Sequence, residues 1–294
     1  MNPQITFLFF GSSTMSIYVL DELEKAGYLP AAVVTTPDKH VGRKQVLTPT
    51  PVKAWAIKKN IPVFAPQKLD AHFADTLKNT KADLFIVASY GKIIPETVLS
   101  IPPQQTLNVH PSLLPKYRGA SPLQSAILND DKHTGVTIMK IDALMDHGPI
   151  VAQKEIFVSE WPTYGEFEEM MAREGGKLLA EILPHWVAGK ITEKEQDHAS
   201  ATSCPKFTKE DGEIHLNDDD YLNFRKIQAF NEWPQAYFFI EHSPTGGSEG
   251  AHKKIRVKIT RASFTDGKLD IQTVIPEGSK EMAYADFVRG YIKK

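Results

Sequence analysis

The sequence predicts an α/β domain with a mostly parallel sheet, followed by a small β-barrel domain. Short apolar runs alternate with helical patterns in the first part of the chain, which is typical of parallel sheets. Residues 189–206 are polar and lack apolar periodicity, as expected of a linker. Short strand patterns with glycine turns follow, and these favour a small barrel. We therefore expect a first domain at residues 1–188, a linker at residues 189–206 and a second domain at residues 207–294.

Composition argues against several classes of protein. The 294 residues are 41% hydrophobic and 24% charged, a profile typical of globular proteins in water. The net charge of −2 argues against a protein that coats nucleic acid. Cys204 is the single cysteine, so neither a disulfide framework nor a multi-cysteine metal site is expected. The N-terminal apolar run is too short to span a membrane and lacks a signal-peptide pattern, so we expect a cytoplasmic protein without membrane partners.

The chain opens with a strand–helix–strand pattern. Residues 5–10 form an apolar run closed by Gly11, which indicates a buried strand. A Ser/Thr cluster then caps a helix that ends at Gly27, and residues 31–36 are a second strand. This unit predicts a Rossmann-like sheet with a right-handed crossover. Only Gly11 stands where a glycine-rich dinucleotide fingerprint would lie, so we expect no nicotinamide cofactor.

A polar loop is expected at residues 36–50, between the second strand and the next helix. It carries Lys39, Arg43 and Lys44 around Gly42. Both a solvated surface loop and a binding loop fit this composition. The alternation of helix and strand continues with helices at residues 51–59 and 69–79 and strands at residues 61–64 and 83–88.

The most informative segment is LNVHPSLLPKYRG, residues 107–119. An apolar strand runs directly into a histidine, two prolines, a serine and an arginine. Side chains two apart in a strand share a face, so Asn108 and His110 should project together from its carboxyl end, where α/β sheets bind ligands. An amide donor and an imidazole proton are suited to hold a developing oxyanion. The alternative is a strand ending in a proline-rich turn, with His110 hydrogen-bonded to a carbonyl.

The remaining patterns complete both domains. Thr163 and Glu166 form a capping box that opens a long helix. In the second domain, residues 253–261 alternate basic and apolar side chains, so the bases of that strand should share one face. The other expected elements are a helix to residue 129, strands at 134–141 and 150–158 around an aspartate-containing turn, a helix at 221–230 and strands at 236–241, 255–262 and 269–275.

These motifs together resemble the methionyl-tRNA formyltransferase family of folate-dependent enzymes. NVHPSLLP combined with DALMDHG is specific for folate-dependent formyltransferases, and KFTKED with AFNEWP indicates the tRNA enzymes among them. The resemblance implies a Rossmann-like formyltransferase domain followed by a barrel-like, OB-like domain that binds tRNA. The chain departs from the family pattern at residues 241–258, where it is abbreviated. Further motifs of the resemblance are FFGSS, TTPDK, ASYGKIIP and IPEGSKEMAYADFVRGY.

The resemblance also implies the reaction and its residues. A formyl group would pass from 10-formyltetrahydrofolate to the amino group of charged initiator tRNA for translation initiation, in a monomer and without a metal. The catalytic trio of the family falls on Asn108, His110 and Asp146. Its folate-binding element falls on Ser112, Leu113, Leu114 and Pro115. We expect two neighbouring strand ends to border the folate with Ser89, Tyr90, Gly91, Ile141 and Asp142, and tRNA to contact Lys39, Arg43, Lys44 and Lys206.

Two other functions stay open at this point. A related formyltransferase could act on a small amine, such as a sugar nucleotide or glycinamide ribonucleotide, but the basic loop and the second domain would then lack a purpose. A non-catalytic relative that binds folate or RNA is compatible with the abbreviated second domain. The intact trio argues against that third hypothesis.

Overall fold

The computed structural model describes residues 5–42, 44–242 and 253–292. No helix in this part of the chain is long and apolar enough to cross a membrane. The elements, in chain order, are β1 (Phe7–Phe10), α1 (Thr14–Lys25), β2 (Ala32–Val34), β3 (Lys39–Val41), β4 (Val46–Thr48), α2 (Pro51–Lys58), β5 (Val63–Phe64), α3 (Ala71–Lys78), β6 (Leu84–Val87), α4 (Glu96–Leu99), β7 (Thr106–His110), β8 (Arg118–Gly119), α5 (Pro122–Leu128), β9 (His133–Lys140), β10 (Ile150–Phe157), α6 (Tyr164–Val187), β11 (Ser203–Cys204), α7 (Asp220–Ala229), β12 (Tyr237–His242), β13 (Lys253–Thr265), β14 (Lys268–Pro276), β15 (Met282–Ala283) and α8 (Tyr284–Phe287).

The main sheet has seven strands in the order β10-β9-β7-β6-β1-β2-β5. Strands β5, β2, β1, β6 and β7 run parallel to their neighbours. Strands β9 and β10 are antiparallel additions at the β7 edge. The expected α/β class with a mostly parallel, Rossmann-like sheet is confirmed.

Alternate residues of the parallel strands enter two different cores. Phe7 and Phe9 of β1 pack in one cluster with Leu107 and Val109 of β7. Neighbouring side chains of β1 and β6, such as Phe10, pack in a second cluster on the opposite face. Because Leu107 and Val109 point into the first core, the alternating side chains of β7 project from the second face.

The loop expected at residues 36–50 contains a β-hairpin. Strands β3 and β4 pair with each other and form a separate two-stranded sheet. Gly42 near the tip has a φ of 73°, a left-handed conformation that glycine adopts without steric cost. All six strand residues are exposed, so burial does not produce the apolar periodicity that marks the other strands, and the polar composition concealed the hairpin.

The C-terminal strands form an antiparallel sheet in the order β12-β13-β14-β15, consistent with the expected small barrel. Ile255, Val257 and Ile259 of β13 are buried. The basic residues that alternate with them, Lys254, Arg256 and Lys258, project from the other face, which confirms the expected alternation. Most of the abbreviated segment, residues 243–252, lies outside the described residues.

The chain forms two compact units, and each unit consists of three segments that are not contiguous in the sequence. The first comprises Met1–Pro122, His133–Phe157 and Glu168–Cys204, and the second comprises Leu123–Lys132, Val158–Phe167 and Pro205–Lys294. Residues 189–204, expected in the linker, pack with the first unit. Within that unit Lys194 bridges to Ile150 and β11 pairs with β8. The functional boundaries 1–188, 189–206 and 207–294 stay predictions.

Candidate active site

Asn108 and His110 lie on the same face of β7 near its carboxyl end. The residues between and beside them, Leu107 and Val109, are buried in the core below, which fixes the register of the strand. His110 is 4% exposed, whereas Asn108 is half-buried. The sheet therefore presents an amide and an imidazole side by side, as the strand pattern predicts.

One ring nitrogen of His110 is held by the backbone and the other faces a carboxylate. Nε2 lies 3.0 Å from the carbonyl oxygen of Tyr117. Because a carbonyl oxygen can only accept, Nε2 carries the proton in this hydrogen bond. Nδ1 lies 3.6 Å from Oδ1 of Asp146, beyond normal hydrogen-bond length. The hydrogen bond from His110 to a turn carbonyl agrees with the alternative interpretation of the sequence. The other ring nitrogen, Nδ1, faces Asp146 without a normal hydrogen bond.

Asp146 is held in place by its own turn and by β8. Its Oδ2 accepts a hydrogen bond of 2.8 Å from the backbone N–H of Gly119. Its φ is 49°, a left-handed conformation in which aspartate is less unfavourable than most residues. A Cβ at Gly148 would come within 2.0 Å of the Lys140 carbonyl oxygen, so the turn closes tightly only with glycine there.

Left-handed backbone recurs around these groups. Ser89, Tyr117 and Asp146 have φ values of 50°, 59° and 49°. Each such residue costs free energy that the surrounding structure must offset, and such residues cluster at functional sites. Ser89 ends the turn after β6, Tyr117 supplies the carbonyl for His110, and Asp146 faces His110.

The Ser112–Pro115 element has its polar groups bound internally. The Ser112 hydroxyl donates to the Lys116 carbonyl at 2.6 Å. The Thr137 hydroxyl donates to the Ser112 carbonyl at 2.6 Å and accepts from Leu114 N–H at 3.1 Å. Leu114 is buried, and Leu113 and Pro115 are half-buried. These hydrogen bonds fix the conformation of the element, and its contact with folate stays a prediction.

The turn after β6 combines exposed backbone with a buried ring. Ser89 and Gly91 are exposed. Tyr90 is 2% exposed and packs edge-on against Phe10. Burial raises the pKa of Tyr90 to about 12, and its hydroxyl has no hydrogen-bond partner among the described residues.

The backbone of Ile141 lies at the amino end of β7, whereas Ser89 lies at the level of its carboxyl end. Because β9 is antiparallel to β7, Ile141 N–H donates to the Thr106 carbonyl at the amino end of β7. Ser89 follows β6 at the level of His110, about 13 Å along the strand direction. Ile141 nevertheless packs against the same apolar cluster as Tyr90, and the folate contact expected of Ile141 and Asp142 stays a prediction. Asp142 instead pairs with His147 at 2.7 Å.

The structure also brings two polar residues to the site that sequence reasoning left out, Gln196 and His198. Gln196 is buried and contacts the backbone around Asp146. Arg118 contacts both Gln196 and His198. The rings of His198 and His147 stack with centroids 4.0 Å apart. Nothing local in the sequence relates residues this far apart.

The structure describes three of the four basic residues that are expected to contact tRNA. Lys39 and Lys44 are exposed on or beside the hairpin. The hairpin follows β2, and the neighbouring strands β2, β1, β6 and β7 all run parallel. Lys39 and Lys44 therefore lie beyond the carboxyl edge of the sheet, the edge that carries His110. Lys206 is exposed in the second unit, and Arg43 lies outside the described residues. No group of three or more His, Cys, Asp or Glu in residues 5–42, 44–242 and 253–292 is arranged to hold a metal ion.

Comparison with known proteins gives matches along most of the chain. The formyl transferase family matches residues 3–183. A methionyl-tRNA formyltransferase from Chloroflexus aggregans is 42% identical over 233 residues, 79% of this chain and 75% of the relative. One from Listeria innocua is 36% identical over 299 residues, 96% and 95% of the two chains.

A solved structure matches the fold at low sequence identity. It is an N-formyltransferase from Helicobacter canadensis in complex with folinic acid and dTDP-3-aminofucose. It superposes with a TM-score of 0.63 at 18% identity, covering 90% of this chain and 89% of the other.

Proposed function

Since the chain belongs to the formyl transferase family, and within it to the methionyl-tRNA formyltransferases, we propose that it formylates the amino group of methionyl initiator tRNA with 10-formyltetrahydrofolate. The observation that carries the proposal is the arrangement of Asn108, His110 and Asp146, with His110 Nδ1 and Asp146 Oδ1 3.6 Å apart. These three residues are the positions onto which the family resemblance maps the catalytic trio.

The reaction requires charge stabilisation at one atom and proton removal at another. The amine nitrogen attacks the formyl carbon, and the carbonyl oxygen becomes an oxyanion. The bond from carbon to the folate nitrogen then breaks, the amine has lost a proton, and the folate nitrogen has gained one. Donors placed where the oxyanion forms lower the barrier.

Asn108 and His110 are the proposed donors. The Asn108 amide is half-buried on the same face as His110. His110 Nε2 is engaged with the Tyr117 carbonyl, so a donor toward the oxyanion would have to be a protonated Nδ1. At 3.6 Å from Asp146, Nδ1 is not committed to that carboxylate and can turn its proton toward substrate.

Asp146 is the proposed acceptor of the amine proton. Its Oδ2 is held by Gly119 N–H, while Oδ1 faces His110. A carboxylate fixed at one oxygen keeps the other free to take a proton directly or through water. The side chain is 16% exposed, so water can pass that proton on to the departing folate nitrogen.

The folate is proposed to lie along the turn after β6 and the Ser112–Pro115 element. Two features support a flat ring with polar edges there. Gly91 has no side chain and is exposed, so its backbone can offer main-chain hydrogen bonds. Ile93 in the following segment is 87% exposed, and such an apolar side chain is suited to cover a ring.

The hairpin is proposed to contact the tRNA. It emerges at the same sheet edge as His110, the six residues of its strands are exposed, and it carries Lys39 and Lys44. Val41, Val46 and Leu47 are each more than half exposed, so the hairpin offers apolar as well as cationic surface. Cations in contact with phosphates release counterions and make affinity depend on salt.

The test is tRNA affinity as a function of salt concentration. A double Lys39→Ala, Lys44→Ala variant should lower affinity for methionyl-tRNA and flatten the salt slope by up to about 2, at about 0.9 per duplex phosphate contact. Lys58→Ala is the matched control, since Lys58 is exposed at the end of α2, which leads back to the opposite edge of the sheet. Folate affinity should not change in either variant.

The small-amine alternative makes the opposite prediction. Formylation of an amino sugar nucleotide, with no formylation of methionyl-tRNA, would overturn the proposed acceptor. The same salt slope and affinity in the wild type and the double variant would remove the hairpin from the tRNA interface.

A further inference from the structure

Gln196 uses its whole side-chain amide to connect two parts of the first unit. It is 5% exposed. Its Nε2 donates to the carbonyl oxygens of Asp146 at 2.9 Å and Gly148 at 2.7 Å. Its Oε1 accepts from Nε and Nη2 of Arg118 at 3.1 Å and 2.6 Å. Both amide hydrogens are therefore engaged, and the oxygen accepts twice.

These bonds hold the backbone on both sides of the Asp146 side chain. The Asp146 carbonyl is held by Gln196, while its carboxylate is held by Gly119 N–H. The residue is in a left-handed conformation with φ of 49°, which the surrounding structure must stabilise. Without the Gln196 amide the carbonyls of Asp146 and Gly148 would lose these partners, and the turn could relax.

Arg118 donates to the amide oxygen of Gln196 and also contacts His198, which leads to a second contact with the turn of residues 142–148. Its Nη2 lies 2.9 Å from Nδ1 of His198. His198 stacks on His147, and His147 pairs with Asp142. The chain of contacts begins and ends in the turn of residues 142–148, so this turn is held at its first residue as well as at Asp146 and Gly148.

The segment that carries Gln196 also supports the partner of Asp146. Strand β11 pairs with β8, and its Cys204 is aligned with Gly119. A Cβ at Gly119 would come within 3.0 Å of the Cys204 carbonyl oxygen, so the two strands pack closely. Residues 194–204 therefore contact both the donor, Gly119, and the acceptor, Asp146.

We propose that Gln196 is a positioning residue that fixes the Asp146 carboxylate against His110 for proton transfer. This inference rests on the proposed function, in which Asp146 accepts the amine proton. It assigns a role in the reaction to a segment beyond residue 183, where the family match ends.

The test is Gln196→Glu, which keeps the shape and the oxygen that binds Arg118 but replaces the donor with a carboxylate facing two carbonyls. Because a displacement of about 1 Å can cost about 100-fold in rate, kcat should fall about 30- to 100-fold, with the KM for folate changed less than about twofold. Gln228→Glu is the control: Gln228 is a buried glutamine in the second unit whose amide donates to the Trp161 carbonyl. It should keep kcat within about threefold.

A double-mutant cycle separates positioning from general destabilisation. If Gln196 acts through Asp146, Gln196→Glu should cost less than about threefold in single-turnover rate once Asp146→Asn is present. An equal loss in both backgrounds, or near-normal kcat in Gln196→Glu, would overturn the proposal. Gln196→Met repeats the test without an added charge if the glutamate variant does not fold.

Amide hydrogen exchange at Gly119 gives a readout without catalysis. Its N–H should be protected in the wild type, and Gln196→Glu or Gln196→Met should accelerate its exchange while the β7 amides stay protected. Fast exchange at Gly119 in the wild type would also overturn the proposal. If wild type fails to formylate methionyl-tRNA, the proposed function fails; if wild type is active but the cycle is additive, only the role of Gln196 fails.

Discussion

At the scale of single residues, His110 is fixed at one nitrogen and open at the other. The bond from Nε2 to the Tyr117 carbonyl sets the ring orientation. Nδ1 then faces Asp146 without a normal hydrogen bond. A ring held in this way can donate or accept a proton at Nδ1 with little reorganisation, which is what a preorganised site needs.

We predict that Asn108→Ala lowers kcat by about 100- to 1000-fold, the usual effect of removing one oxyanion donor. His110→Ala should have at least that effect, because it removes both a donor and the partner of Asp146. Folate affinity and the far-ultraviolet circular dichroism spectrum should stay close to wild type. Asn79→Ala, at the exposed end of α3, is the control, and near-normal turnover in Asn108→Ala would move the site elsewhere.

We predict that Tyr90→Phe does not lower stability. The hydroxyl is buried and has no partner among the described residues, and an unsatisfied buried polar group costs about 1–3 kcal/mol. The variant should therefore unfold at the same or a higher urea concentration than wild type. Its folate affinity should stay within about twofold, as expected if this turn binds through its backbone; a loss of folate binding would instead make the hydroxyl a ligand contact.

At the scale of elements, helices α1 and α6 approach closely around a buried ion pair. A Cβ at Gly176 of α6 would lie 2.8 Å from Cβ of Glu22 and 3.1 Å from Cα of Val19 in α1. Glu22 is 7% exposed and lies 2.9 Å from Nη1 of Arg173 and 2.7 Å from Nζ of Lys25. Burial alone would raise the pKa of Glu22, but the hydrogen bonds from Lys25 and Arg173 hold it below its usual value.

We predict that Glu22→Gln costs about 1.5–3 kcal/mol at pH 7, the range for hydrogen bonds to a charged group. Because the folded pKa is depressed, this stability is complete above the unfolded value of about 4.3 and disappears as pH falls through the folded value. Urea unfolding should show a large difference in unfolding free energy between wild type and Glu22→Gln at pH 7, and a smaller difference near pH 3. Glu160→Gln, on the surface, is the control, and a difference that did not change with pH would refute the charge-based explanation.

At the scale of the whole molecule, the second unit is assembled from three separate stretches of chain. Asp130 accepts hydrogen bonds from Trp161 at 2.7 Å and from Tyr221 at 2.8 Å. Arg225 donates to the Leu128 carbonyl at 2.6 Å. Trp161 is 3% exposed, so this small cluster is a genuine part of the core of that unit.

We predict that a truncated chain of residues 1–206 will not fold as a stable domain. It would keep the bond between Trp161 and Asp130 but remove Tyr221 and Arg225, so Asp130 would lose one donor and the Leu128 carbonyl would lose its guanidinium partner. Soluble yield, thermal unfolding and binding of a hydrophobic dye would compare it with the full chain. A monomeric, cooperatively unfolding fragment with the melting temperature of the full chain would show that the boundary at residue 206 is adequate.

The sequence alone determined the longer elements and the identity of the side chains proposed for catalysis. Period-2 and period-3.6 apolar patterns located the longer helices and the strands of the main sheet, because burial of one face imposes those periods. The strand pattern put Asn108 and His110 on one face, and the resemblance added Asp146. The hairpin was not anticipated, because it is exposed on both sides. The short helices α4 and α8 and the two-residue strands β8, β11 and β15 were not anticipated either, because two to four residues are too few for a period.

Tertiary structure alone decided which distant segments meet. The antiparallel direction of β9 places the backbone of Ile141 beside Thr106, and the apolar pattern of the strand does not contain that direction. The polar stretch expected to be a linker supplies Gln196 to the turn of Asp146 and β11 to Gly119. Local periodicity reports only whether a residue is buried, whereas a hydrogen bond between Asp146 and a residue 50 positions later depends on the path of the whole intervening chain.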